Sequence, residues 1–276
     1  MKKILFVLFF ASLSEINAQD KIELFPGDLN IQPFTANILE PRLGSLFQLG
    51  DNELRLDIGS SADIIKYHKC ENEIWSFGAD LFTYTLLRGE TDFHFPVDAV
   101  DYLFGVNFGY KNKINEVKEI GARLRLSHIS AHFVDGHYDG SNQQWRDGQL
   151  PRVYSREFLE LIAYYKINNL RIYAGAAYLY HVDPSSIKKD NYQVGAEYFI
   201  DDILGENLNP YFAYDLKVIH LDKYSINNSI NIGIKLGKKE GRGLSLYYAY
   251  YSGKSIHGEY FDFNKEYSAI GINLDL

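Results

Sequence analysis

Apolar and polar residues alternate with a period of two along most of this chain. In residues 117–133, VKEIGARLRLSHISAHF, the apolar face carries Ile120, Ala122, Leu124 and Leu126; the other carries Gly121, Arg123, Arg125 and Ser127. Successive side chains of a strand point to opposite faces, so this spacing predicts one long β-strand with a greasy side and a charged side. Residues 100–110 repeat it: Tyr102, Phe104, Val106, Phe108 and Tyr110 alternate with Asp101, Leu103, Gly105, Asn107 and Gly109. The same pattern predicts strands over 43–49, 53–67, 74–87, 153–166, 170–182, 192–200, 210–221, 229–237, 243–251 and 266–276. That is about twelve, with ten as the alternative if the first hairpin stays out of the wall. Helical periodicity is nearly absent.

One apolar face on every strand, with aromatic residues at the strand ends, suits a wall that meets lipid outside and a polar lumen inside. Apart from the N-terminal ten or so residues, no apolar run approaches the roughly 18–20 residues that a membrane helix needs. Backbone groups in lipid must be paired internally, so a chain that spans with strands must close on itself. The predicted fold is therefore all-β: a closed antiparallel transmembrane β-barrel of about 12 strands over 43–276. Connection lengths agree. With the C-terminus periplasmic, the longer connections after Leu87, Phe133, Val182 and Ser252 fall outside. The short KNKINE, Asn168-Asn169 and GKKEGRG turns fall inside. DDILGENLNP is long for an inner turn and GDNE short for an outer one.

The N-terminus carries Lys2-Lys3, an apolar run of about ten residues and Ala18 before Gln19-Asp20, the layout of a cleaved signal peptide over 1–18. Residues 19–42 hold Pro26, Pro33 and Pro41, which forbid a regular strand. They are expected as an irregular segment at the periplasmic side or in the barrel mouth. The net charge is −8, with no basic patch, which argues against nucleic acid as a partner. Outer-membrane lipids of a Gram-negative envelope are the expected surroundings. A single cysteine, Cys70, cannot form an intramolecular disulfide. Mixed charges predicted to face the lumen (Asp101, Arg123, Arg125, Glu197, Asp215, Lys217 and Lys235) read as an ion-paired filling rather than a solute path, because unpaired buried charge is costly.

The sharpest chemical signal is His128-Ile129-Ser130. Unbroken alternation puts His128, Ser130 and His132 on the outward face near the extracellular end. Residues two apart on a strand lie about 7 Å apart, within side-chain reach, so His128 suits a general base for the Ser130 hydroxyl. A third polar group should orient the imidazole: Asn142, twelve residues after Ser130, or Glu157 or Glu160 on the next strand. A bulge near Ser127 would instead turn all three inward. His132 and Asp135 are candidate substrate contacts. His128, His132, Asp135, His137 and Asp139 allow a metal reading, although histidines four apart on a straight strand are about 13 Å apart. Asp135-Gly136 and Asp139-Gly140 read more simply as turns. No resident cofactor is expected; calcium is the ion left open.

The His-x-Ser pair resembles that of the outer-membrane phospholipase A and lipid A deacylase barrels, where it lies on the outside of the barrel. That resemblance implies a lipid ester hydrolase with Ser130 as nucleophile, His128 as base and Asn142 as third member. The chain departs from it at Ala131, where an Asn usually follows the Ser. More broadly, the EPR entry at 40–42, the His-x-Ser-x-His strand, YSRE at 154–157, RIYAG at 171–175 and QVGAEY at 193–198 resemble, in that order, a bacterial family of uncharacterised outer-membrane proteins, domain of unknown function 1207. That resemblance implies an outer-membrane barrel and no particular reaction. The expected role is structural or envelope-interacting, with the lipid esterase and a narrow pore or uptake channel as alternatives.

Overall fold

The computed structural model describes residues 21–200 and 207–276. The signal peptide predicted over 1–18 lies outside them. The elements are β1 (Lys21–Leu24), β2 (Leu43–Leu49), β3 (Glu53–His68), β4 (Glu73–Arg88), β5 (Val97–Lys113), β6 (Lys118–Phe133), β7 (Tyr138–Asp139), β8 (Gln144–Trp145), β9 (Tyr154–Ile167), β10 (Leu170–Asp183), β11 (Asp190–Phe199), β12 (Leu208–His220), β13 (Tyr224–Gly237), β14 (Gly243–Lys254) and β15 (Asn264–Asp275). Twelve of them form a closed antiparallel wall in sequence order: β2 to β6, then β9 to β15. The β15–β2 pairing, from Leu274↔Leu43 to Ser268↔Leu49, closes the ring and includes the first hairpin in the wall. β7 and β8 form a small hairpin in the long connection between β6 and β9. β2 is short and leaves the far end of β3 without a neighbour on that side. β1 covers this edge, pairing Lys21↔His68 through Leu24↔Ile65.

The outer surface of the wall is apolar. Phe104, Phe108, Leu126, Leu161, Val194, Ile232 and Leu246 are each at least 40% exposed. A soluble barrel would bury these faces. A band of this kind needs lipid against it. Inside, Asp101, Arg123, Arg125, Glu197, Asp215, Lys217 and Lys235 are all buried, on the face the alternation assigns to them. Glycines on this face make room for tyrosines of the next strand. A methyl group at Gly121 would stand 2.5 Å from the Tyr164 ring, and one at Gly271 would stand 2.3 Å from the Tyr247 ring.

The segment after β1 runs into the lumen and packs against the inward side chains of the wall. Asn30, Ile31, Phe34, Ala36, Asn37, Leu39 and Glu40 are buried there. Its prolines deny it a ladder, so its backbone groups bond to wall side chains instead. Arg171 donates to the Gln32 and Pro33 carbonyls at 3.0 and 2.5 Å. Asn231 donates to the Thr35 carbonyl at 3.0 Å, and the Thr35 N–H donates to Glu197 at 2.8 Å. The inward charges of the wall thus hold the plug. Phe34 sits between the guanidinium groups of Arg123 and Arg171, 5.1 and 4.6 Å from its ring centroid, with the Tyr173 ring at 4.4 Å. Phe34→Ala should cost about 3–5 kcal/mol. A lower urea midpoint for the heat-modifiable band of the refolded barrel would register it, and an unchanged midpoint would remove Phe34 as the anchor.

Candidate functional site

Strand β6 pairs without a register break to β5 on one side and β9 on the other. No bulge turns its upper half inward. Ser127, Ile129 and Ala131 are buried, while His128, Ser130 and His132 lie on the lipid-facing side. The neighbouring strands then decide what surrounds them. In register, Phe104 of β5, His128 of β6, Glu157 of β9 and His181 of β10 form one row across the outer wall. Tyr102, Ser130, Ser155 and Asp183 form the next row toward the rim that carries the long β6–β9 connection.

Glu157 is the hub of the first row. One carboxylate oxygen accepts from His128 Nδ1 at 2.7 Å and the other accepts from His181 Nδ1 at 2.6 Å. The Phe104 ring packs against the His128 imidazole with centroids 4.9 Å apart. The carboxylate and the ring together fix the imidazole, and Nδ1 donating to Glu157 leaves Nε2 as the basic nitrogen. His128 and Glu157 side chains are each about a quarter exposed, whereas His181 is 60% exposed. The Ser130 hydroxyl makes no hydrogen bond among the described residues. Nucleophile-to-base bonds of this sort are often long before substrate binds.

The third polar group expected beside His128 is Glu157, one of the two carboxylates on the next strand. Glu160, the other, has opposite parity and points inward to Arg125 at 3.5 Å. Asn142 does not join the site. Twelve residues of sequence carry it into the β7–β8 hairpin, where its side chain and backbone donate to Asp139 and hold that carboxyl below the usual carboxylate range. His132 stays on the outer face, two residues beyond Ser130, beside the Tyr102 ring with centroids 6.3 Å apart. Asp135 opens a short turn and accepts from the Gly136 N–H. His137 is buried in the long connection after β6, stacked on Phe133 and bonded to Asp98 at 2.9 Å. The proposed metal ligands therefore serve different structures, and among the described residues no group of three or more potential ligands converges on one point.

His181 is the member that sequence alone misses. Tyr178 and Tyr180 face outward, so simple alternation puts His181 inside. β10 bulges between Leu179 and His181, inserting one extra residue against β9. The bulge restores His181 to the outer face, opposite Glu157.

The family model described as protein of unknown function (DUF1207) matches residues 101–276. The chain belongs to that family. This DUF1207 barrel is similar to outer membrane phospholipase A from Escherichia coli, with a TM-score of 0.58 and 13% identity over 88% of this chain and 93% of that one. It is also similar to the calcium-bound outer membrane phospholipase dimer of Salmonella typhi, with a TM-score of 0.53 and 12% identity over 86% and 91%. At that identity the likeness establishes the fold: an outer-membrane β-barrel. No curated protein matches the DUF1207 chain in sequence.

Proposed function

We propose that this barrel hydrolyses acyl esters of outer-membrane lipids, phospholipid or lipid A, on its lipid-facing wall. The observation that carries this reading is Glu157 holding His128 Nδ1 at 2.7 Å, with Ser130 two residues along the same face. That supports Ser130 as nucleophile, His128 as base and Glu157 as orienting acid on the face that an ester at the outer-leaflet boundary would meet. The Ser130 oxygen attacks the ester carbonyl as its proton passes to His128 Nε2. Collapse of the tetrahedral adduct breaks the ester C–O bond, and His128 returns the proton to the leaving alkoxide. Water, deprotonated by the same imidazole, then adds to the acyl-serine; the bond to Ser130 Oγ breaks, His128 returns the proton to that oxygen, and the fatty acid leaves. Glu157 stabilises the imidazolium formed in both steps. Ser155, beside Ser130 on β9, offers a hydroxyl donor to the developing oxyanion.

A purely structural wall gives no reason for a carboxylate and two imidazoles on a lipid-facing surface. The pore reading is weaker, because the plug and its partners occupy the lumen. The refolded mature chain, incubated with a fluorophosphonate, should gain one adduct, and peptide mapping should place it on Ser130. Fatty acid should be released from phospholipid or lipid A vesicles, with calcium present or chelated. An unlabelled Ser130 in a correctly folded barrel that releases no fatty acid would return this face to a structural role.

A further inference from the structure

Between the outward pair Ser155 and Glu157, strand β9 sends Arg156 inward. Its guanidinium enters a cavity in the extracellular half of the lumen, above the plug. Leu39 of the plug, Phe158, Ala177 and Leu179 of the wall, and Ile187 and Phe261 of the connections line it. Arg156 makes no hydrogen bond or ion pair among the described residues. Its Nε is buried without an acceptor, and the guanidinium carbon lies over the Tyr154 and Phe158 rings, 5.8 Å from each centroid. Elsewhere in the lumen the arginines are paired: Arg55 with Asp57, Arg123 and Arg125 with Glu40, and Arg171 with Glu197.

The carboxylates around Arg156 are already engaged. Glu160 lines the cavity but lies 3.5 Å from Arg125 and 3.9 Å from Arg123. Asp101 accepts from His257 at 2.8 Å and from the Gly258 N–H at 2.7 Å. Lys217, also in the lining, donates to the Asn37 side-chain amide oxygen at 3.3 Å. The cavity is thus apolar along most of its wall and cationic at one side. Arg156 is half-buried, with its Nε shut away from any acceptor and its charge facing an otherwise apolar cavity, so the arrangement calls for an anion with an apolar body.

We propose that this cavity binds a medium-chain fatty carboxylate, its head on Arg156 and its tail against Leu39, Ala177, Leu179 and Phe261. The cavity measures about 70 Å³. At roughly 10–15 Å³ per water site that is room for five to seven waters, about the bulk of a six- to eight-carbon chain. The site lies on the opposite face of β9 from Glu157 and does not depend on the wall chemistry.

The test uses the full mature chain carrying Ser130→Ala, reconstituted in lipid nanodiscs, so that no turnover contributes ligand. Equilibrium dialysis with radiolabelled octanoate should show saturable binding of one equivalent above empty nanodiscs. Arg156→Met should weaken it about tenfold or more, as should filling the cavity by Ala177→Phe, with heat-modifiability confirming that each barrel is folded. Acetate, which has the charge without the tail, and 1-octanol, which has the tail without the charge, should each compete at least about tenfold less well than unlabelled octanoate. Binding no greater than to empty nanodiscs, or equal binding by Arg156→Met, would overturn the proposal. If Ala177→Phe fails to fold, the Arg156→Met comparison and the two competitors still decide it.

Discussion

Ser130→Ala should reduce lipid ester hydrolysis by at least about 10³-fold, and His128→Ala should do the same. The double variant should be little worse than either single one, because the two side chains act as a unit and removing one idles the other. Glu157 gives the sharper comparison. Glu157→Leu removes the acceptor that sets the His128 tautomer and the charge that stabilises its imidazolium, so kcat should fall by about 10²–10⁴ with KM little changed. The same change replaces a carboxylate on a lipid-facing wall with an aliphatic group. Charged groups on that face cost stability in a depth-dependent way, so the variant's unfolding midpoint should hold or rise. Lost turnover in an equally stable or more stable barrel is the signature of a residue kept for chemistry. A barrel that loses stability in proportion to activity would make Glu157 a structural tie between β6, β9 and β10. His181→Ala should be mild by comparison, since His181 binds the carboxylate oxygen that His128 does not use.

The wall was legible in the sequence because a period of two is a strong signal over strands of 7 to 17 residues, and an even number of them closes without an edge. Parity alone placed His128 and Ser130 on the outside and Arg123 and Arg125 on the inside. Parity says nothing of which residue on the next strand lies opposite, and that is where the reading of Asn142 parted from the structure. A spacing of twelve residues reaches the neighbouring strand only if the connection is short. Here residues 134–153 intervene, and the register instead delivers Glu157 to His128. His181 was illegible for a different reason. Its side depends on a single extra residue in β10, and nothing in the local sequence marks that bulge. The plug was half legible. Three prolines exclude a wall strand, but only the wall's inward donors and acceptors, converging from several strands, show why the segment lies within the lumen.

Glu40→Ala should free the plug while leaving the wall folded. Glu40 is 1% exposed. Both of its oxygens accept from Arg123, one of them at 2.8 Å, and Arg125 approaches at 3.4 Å. Asn37, in the plug itself, donates to it at 2.9 Å. Without that carboxylate Arg125 still has Asp80 at 3.0 Å, but Arg123 keeps only Glu160 at 3.9 Å and the Phe34 ring. Breaking a buried pair by removing one partner costs about 3–5 kcal/mol. The closed ladder of twelve strands does not use Glu40, so the loss falls on the attachment of residues 25–42 rather than on the wall. Limited proteolysis from the periplasmic side should cut within that segment in the variant and not in the parent, while the heat-modifiable band persists. Planar bilayers should show ion conductance appearing or rising in the variant, because the side chains that cross the middle of the lumen leave with the plug. An uncut segment and an unchanged conductance would mean that the wall's other bonds, to Gln32, Pro33 and Thr35, hold the plug without Glu40. Glu40→Gln should lie between the two, since the amide can still accept from one guanidinium but no longer balances its charge.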